Sequence, residues 1–179
     1  MNLQLQSMAI EIPTVLDHPN REAFRGVLTF VDVPSDRAPA GARGHCVILT
    51  RGAAEAALAS LLGMALDYTP ALDRHDARRK VGIITRAEIA GRGLELGGYL
   101  FARDFPEVVK EVGRGRVVPE LARAKTRPQT GLGMSYEIAD ARVADMRAKV
   151  WTLTHVTFTG AAILRRDKAA YRDTWIELA

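Results

Sequence analysis

Apolar and polar positions alternate through several short runs of this chain, and most of those runs predict strands. Residues 24–33, FRGVLTFVDV, form the first, closed by the polar, Pro-rich PSDRAPAGARG. HCVILT follows, short and β-branched, and then GAAEAALASLLGMAL, whose Ala and Leu content predicts a helix. Apolar positions cover most faces of that helix, so it belongs largely inside. Residues 66–80, LDYTPALDRHDARRK, carry no sustained period and read as a loop.

VGIITRAEIA and LELGGYLFA are two strand-like runs joined by Gly91-Arg92-Gly93, a hairpin signal. DFPEVVKEV predicts a short helix with Asp104 at its N-cap and Pro106 in its first turn. GRGRVVPELARAKTRPQTG reads as a flexible basic segment with room for one more helical turn. Two further strands are expected in GMSYEIADARV and KVWTLTHVTFTG. In the second, Val150, Thr152, Thr154, Val156 and Phe158 share one face, and Trp151, Leu153, His155 and Thr157 the other. KAAYRDTWIEL at the end suits a short helix.

About six strands and three short helices predict an α+β fold, a mainly antiparallel β-barrel or strongly bent sheet with a few surrounding helices. An antiparallel α+β sandwich is its nearest competitor. The 179 residues suit one domain, over 21–179, preceded by an N-terminal extension over 1–20.

Composition narrows the function classes. Apolar residues make up 47% and charged residues 26%, the balance of a soluble globular protein. No run approaches the roughly 18 uncharged apolar residues of a membrane span. MNLQLQSMAIEIP lacks the layout of a signal peptide, so nothing points to export. Cys46 is the only cysteine, which suits a reducing cytoplasm. The net charge of +4 is mild, its basic residues are dispersed, and only 6% of residues are aromatic. Nucleic-acid binding is therefore disfavoured. A basic accessory protein that binds nucleic acid, using Arg114 to Arg127, stays as an alternative; its binding would fall steeply with salt.

Metal chemistry and cofactors are not expected. His18, His45, His75 and His155 are far apart in sequence, no HExxH or CxxC spacing occurs, and no Gly-rich phosphate loop joins a strand to a helix. Four serines are present. Ser7 lies in the N-terminal tail, Ser35 in the polar loop, and Ser60 inside the apolar helix, where its hydroxyl bonds back to the preceding turn. Ser135 follows Gly131-Leu132-Gly133-Met134 and opens a strand, so small residues leave the backbone open to a substrate carbonyl. An ordinary serine in a Gly-rich turn is the competing account. Cys46 and His45 are strand neighbours pointing to opposite faces and cannot pair, so Cys46 reads as a small buried hydrophobe. On their own, His75 reads as a solvated loop histidine and His155 as a half-buried strand histidine.

Three segments together resemble the phage prohead protease family, itself distantly similar in fold to the herpesvirus assemblins. They are LDRHDARRKVGIIT around His75, GLGMSYEIADARV around Ser135, and WTLTHVTFTGAAIL around His155. Their order and separations carry the resemblance: 60 residues from His75 to Ser135 and 20 from Ser135 to His155, within a match over about residues 24–170. The resemblance implies a serine endopeptidase with Ser135 as nucleophile and His75 as general base. His155 falls where many phage members carry an acidic residue and assemblins a second histidine, which implies a Ser-His-His triad. THVTFTGAAIL departs from the family's acidic residue and following Pro-Ala-Asn. Arg165-Arg166, with Gly133, is the match for the oxyanion and substrate region. The implied substrates are phage capsid and scaffold proteins, cut inside a procapsid in the bacterial host cytoplasm, and the assemblin likeness points to a homodimer. A non-catalytic capsid-assembly protein that keeps the protease fold is the alternative.

Overall fold

A computed structural model describes residues 17–114 and 131–179 together with the backbone of residues 2–4. The strands are β1 (Asn2–Gln4), β2 (Glu22–Phe30), β3 (Cys46–Leu49), β4 (Ala65–Tyr68), β5 (Lys80–Ala90), β6 (Gly93–Leu100), β7 (Leu132–Val143), β8 (Val150–Arg165) and β9 (Trp175–Leu178). Two α-helices, α1 (Arg51–Ala57) and α2 (Pro106–Gly113), accompany them. All nine strands belong to one sheet in the order β3-β8-β4-β5-β6-β2-β9, with β1 beside β5 and β7 beside β8. The sheet curls into a half-barrel, which agrees with the expected α+β bent sheet.

The predicted β5–β6 hairpin forms as read, in antiparallel register from Gly82↔Leu100 to Ala90↔Gly93. Gly91 supplies the positive φ of the turn. Close strand approach also fixes Gly98, where an added Cβ would collide with the Ile83 carbonyl oxygen. The core lies inside the curl, where Phe24, Leu28, Leu94, Leu100, Met134 and Phe158 are nearly or wholly buried.

Four expectations are corrected. The long Ala/Leu helix is shorter: α1 passes into a 3-10 turn at Leu58–Leu61, and Gly63, at positive φ, releases the chain into β4. Part of the expected loop 66–80 is therefore strand. The C-terminal helix is instead β9, because Trp175–Leu178 pairs with the edge of β2 and buries Ile176. The N-cap of α2 is Phe105, without a side-chain cap, while the Asp104 carboxylate accepts from Asn20 Nδ2 at 2.8 Å. The basic segment between Arg114 and Gly131 lies outside the described residues, as does Ser7. Of the N-terminal extension, Asn2–Gln4 pairs with β5 at Arg86–Glu88.

β8 organises the site. Its 16 residues pair in parallel with β3 near its start and with β4 near its end, and antiparallel with β7 along nearly all its length. Register shifts after Glu137, after Ala139 and after Arg142 break the pleat. Consequently the strict two-face reading of residues 150–158 fails midway. Trp151 and Leu153 are buried on one parity, Val156 and Phe158 on the other, with Thr154 and His155 exposed between them.

Candidate active site

One row of paired residues crosses three adjacent strands. Asp67 of β4 pairs with Ala162 of β8, and Ala162 pairs with Ser135 of β7. Paired residues on neighbouring strands project to the same face, so Asp67 and Ser135 stand on one face, two strand spacings or roughly 10 Å apart. On the strand between them stands Ala162, whose side chain is a single methyl group. Glu137 is two residues beyond Ser135 and shares its face. Its carboxylate rests over Gly160, where an added Cβ would come 2.8 Å from Oε2.

His75 reaches this gap from the loop that joins β4 to β5. Its Nδ1 is 3.4 Å from Asp67 Oδ2 and 3.2 Å from Glu137 Oε1. The loop is tied down at several points. The Asp76 amide donates to Asp67 Oδ1 at 3.0 Å, and the Arg165 amide donates to Leu72 O at 2.9 Å. Leu72 itself takes a positive φ of 54°. Arg79 ion-pairs with Glu107 of α2 at 2.5 Å and lies over the Tyr68 and Phe105 rings. Asp67 thus serves two ends, holding the loop backbone with one oxygen and facing the His75 ring with the other.

The electrostatics are uneven. Asp67 is fully buried, whereas the Glu137 side chain is 24% exposed. Lys80 Nζ lies 4.0 Å from Asp67 Oδ2. Neither carboxylate contact of His75 has hydrogen-bond geometry, and Asp67 Oδ2 and His75 Nδ1 have no hydrogen-bond partner among the described residues. With Nδ1 turned to the carboxylates, Nε2 is the ring nitrogen left to face other groups. Burial pushes the Tyr136 phenol up from its ordinary range, so this neighbour of Ser135 stays protonated.

His75, Ser135 and Glu137 line one cavity of about 930 Å³. Its opposite walls come from the loop residues 38–43 and from apolar side chains such as Ile138, Val143, Met146, Trp151 and Leu153. Arg43, Arg74 and Lys168 add positive charge to the lining. Such a recess can hold an extended chain with an apolar side chain inside it.

The other expected site residues lie elsewhere. His155 pairs with Arg142, is exposed, and precedes Ala162 by seven residues, roughly 20 Å of extended chain. It does not join Ser135 and His75, and the place beside His75 is filled by Asp67 and Glu137. If the protein has the peptidase activity that the sequence resemblance implies, replacing His155 by Ala is expected to leave it within about twofold of the parent, since an exposed side chain remote from Ser135 contributes little; a loss of two orders of magnitude in kcat would restore it to the site. Arg165 pairs with Asp167 at 2.6 Å, and Arg166 Nε donates to Leu132 O at 3.2 Å. Neither arginine lines the cavity. Gly133 is needed for packing: a Cβ there would meet Thr174 Oγ1 at 2.6 Å. Of the remaining serines, Ser60 bonds back to Ala57 O at 2.6 Å, and buried Ser35 accepts from the Val47 amide at 2.9 Å. Cys46 is half-buried, and His45 stacks on Trp151 at 4.5 Å.

Neither a protein-family model nor a curated protein matches the chain. The sequence reading missed both carboxylates. Glu137 had a usable signal, since in GMSYEIADARV it stands two residues from Ser135 and a strand puts both on one face. Asp67 had none: LDY is too short to display a period.

Proposed function

We propose that the protein is a serine endopeptidase in which Ser135 is the nucleophile and His75 its general base. The observation that carries this reading is the row Asp67–Ala162–Ser135, with the His75 ring entering above it beside two carboxylates. In the reaction, His75 Nε2 accepts the Ser135 hydroxyl proton as Oγ attacks the scissile carbonyl carbon. The same imidazolium then donates that proton to the departing amine, leaving an acyl-enzyme ester on Ser135. Water, deprotonated by His75, hydrolyses the ester and returns the hydroxyl. Asp67 and Glu137 fix the tautomer with hydrogen on Nδ1 and stabilise the imidazolium, the task first assigned to His155. A small ring movement brings either contact into hydrogen-bond geometry, as substrate binding commonly does in such sites.

The family resemblance around His75 and Ser135 supports a narrower role, processing of phage coat and scaffold chains inside the procapsid within a bacterial host. It also supports dimerisation and cleavage of the chain by itself. No helix among the described residues is long and apolar enough to cross a membrane.

A fluorophosphonate probe tests the chemistry without knowledge of the substrate. Incubated with the intact protein, it is expected to add one covalent phosphonyl group, which peptide mapping places on Ser135. Adducts spread over other residues, or none under conditions that label trypsin fully, would remove the proposal.

A further inference from the structure

Asp67, His75 and Glu137 each present one donor atom, and the three lie within 4.8 Å of one another. Carboxylates pointing at one space are common and signify little alone. Two further facts set this group apart. Asp67 is fully buried, and its Oδ2 accepts no hydrogen bond among the described residues. His75 Nδ1, facing it, is likewise buried and without a hydrogen-bond partner among them. A buried carboxylate oxygen left without a donor costs stability unless a cation or proton meets it.

We propose that Asp67, His75 and Glu137 form a site for one divalent first-row transition cation. The donor set decides the class: one imidazole nitrogen with two carboxylate oxygens suits Zn²⁺ or Mn²⁺ better than Ca²⁺, which prefers six or more oxygens. Three protein donors leave the fourth position of a tetrahedral ion to water, and the cavity beside Glu137 gives water access. Lys80 Nζ is the charge that opposes binding, 4.0 Å from Asp67 Oδ2. Its side chain is 36% exposed and can turn its ammonium to water. Asp73 and Asp76 flank His75 in the loop, and Arg74 and Arg78 alternate with them.

The cation and the peptidase chemistry compete for one imidazole. An ion on Nδ1 takes that nitrogen's lone pair, so the neutral ring carries its hydrogen on Nε2 and has no lone pair there to accept the Ser135 proton. Occupancy therefore switches the serine chemistry off, and chelation restores it. The binding claim does not depend on the peptidase reading; only this inhibitory consequence does.

Calorimetric titration of ZnCl₂ into the intact full-length protein tests the site. One Zn²⁺ per chain is expected. Glu137→Gln, a change on a partly exposed side chain, should weaken binding by about tenfold or more, and Asp67→Asn by at least as much. Ser135→Ala should bind Zn²⁺ like the parent. Glu137→Gln keeps the test open if Asp67→Asn fails to fold, which its thermal melt would reveal. No saturable binding up to millimolar Zn²⁺ overturns the proposal. So does binding unchanged in Glu137→Gln, which would place the ion on another histidine. A protein that binds Zn²⁺ as expected, but whose chelator-treated metal-free form fails to react with a fluorophosphonate, keeps the metal site and loses the peptidase.

Discussion

If the proposed mechanism holds, Ser135→Ala is expected to abolish peptide-bond cleavage, with kcat falling by about 10³-fold or more, while the fold and its melting temperature are kept. The size follows from the role. Once Oγ is gone, no acyl-enzyme forms, and what survives is whatever the cavity contributes by binding. The fold is kept because Ser135 is half-exposed on β7 and its hydroxyl holds no structural bond among those found for the described residues, unlike the hydroxyls of Ser35 and Ser60. Self-cleavage of the chain, followed by intact mass, and digestion of coat and scaffold chains are the two readouts. Normal processing by the folded variant would leave a non-catalytic assembly role as the better account.

Asp67→Asn has the second large effect, and it falls on two quantities at once. The carboxylate faces His75, which the proposed mechanism needs held in place, and also accepts the Asp76 amide in the loop. An asparagine can still accept that amide through its oxygen. Its NH₂ then faces His75 Nδ1 and the Lys80 ammonium, so donor meets donor where an anion had stood. This favours the wrong imidazole tautomer, and kcat is expected to drop by about 10³-fold, with stability lower by about 1–3 kcal/mol for the mispaired buried group. Glu137→Gln, at a side chain open to water, is expected to cost about tenfold in kcat and little stability. The ratio of the two losses ranks the carboxylates. Equal activity in parent and both variants would show that His75 needs no acid, and the proposed site would reduce to a Ser135–His75 dyad.

Much of this fold could be read from local pattern. The β5–β6 hairpin carries its own turn glycine and two long alternating runs, so it forms as expected. Where the reading failed, tertiary partners had overruled local preference. Ala65 and Leu66 read as the end of a helix and Asp67 and Tyr68 as loop, yet β5 and β8 offer this stretch pairing partners on both sides. Trp175–Leu178 reads as helix until the open edge of β2 is known. The site divides in the same way. Ser135 and His75 were visible through their order and separation. Asp67 was hidden in a four-residue strand, and His155 was assigned to a triad because separation along a chain does not report where β7 turns into β8: Ser135 pairs with Ala162, and His155 stands seven residues before it. Distance along a bulged strand is a matter of counting residues that face the right way, and that count needs the partner strand.

The position of Ala162 has one more consequence. Ser135 and Asp67, the proposed nucleophile and acid, sit on strands hydrogen-bonded to the same segment of β8, so they behave as fixed parts of one bed. The imidazole alone arrives on a separate arm, fastened at Leu72 and Asp76. Under the proposed mechanism, activity would be lost or regained by seating a single arm, with no rearrangement of the sheet. An enzyme enclosed with its substrates during assembly would gain from a control so small, because it can be thrown without unfolding anything.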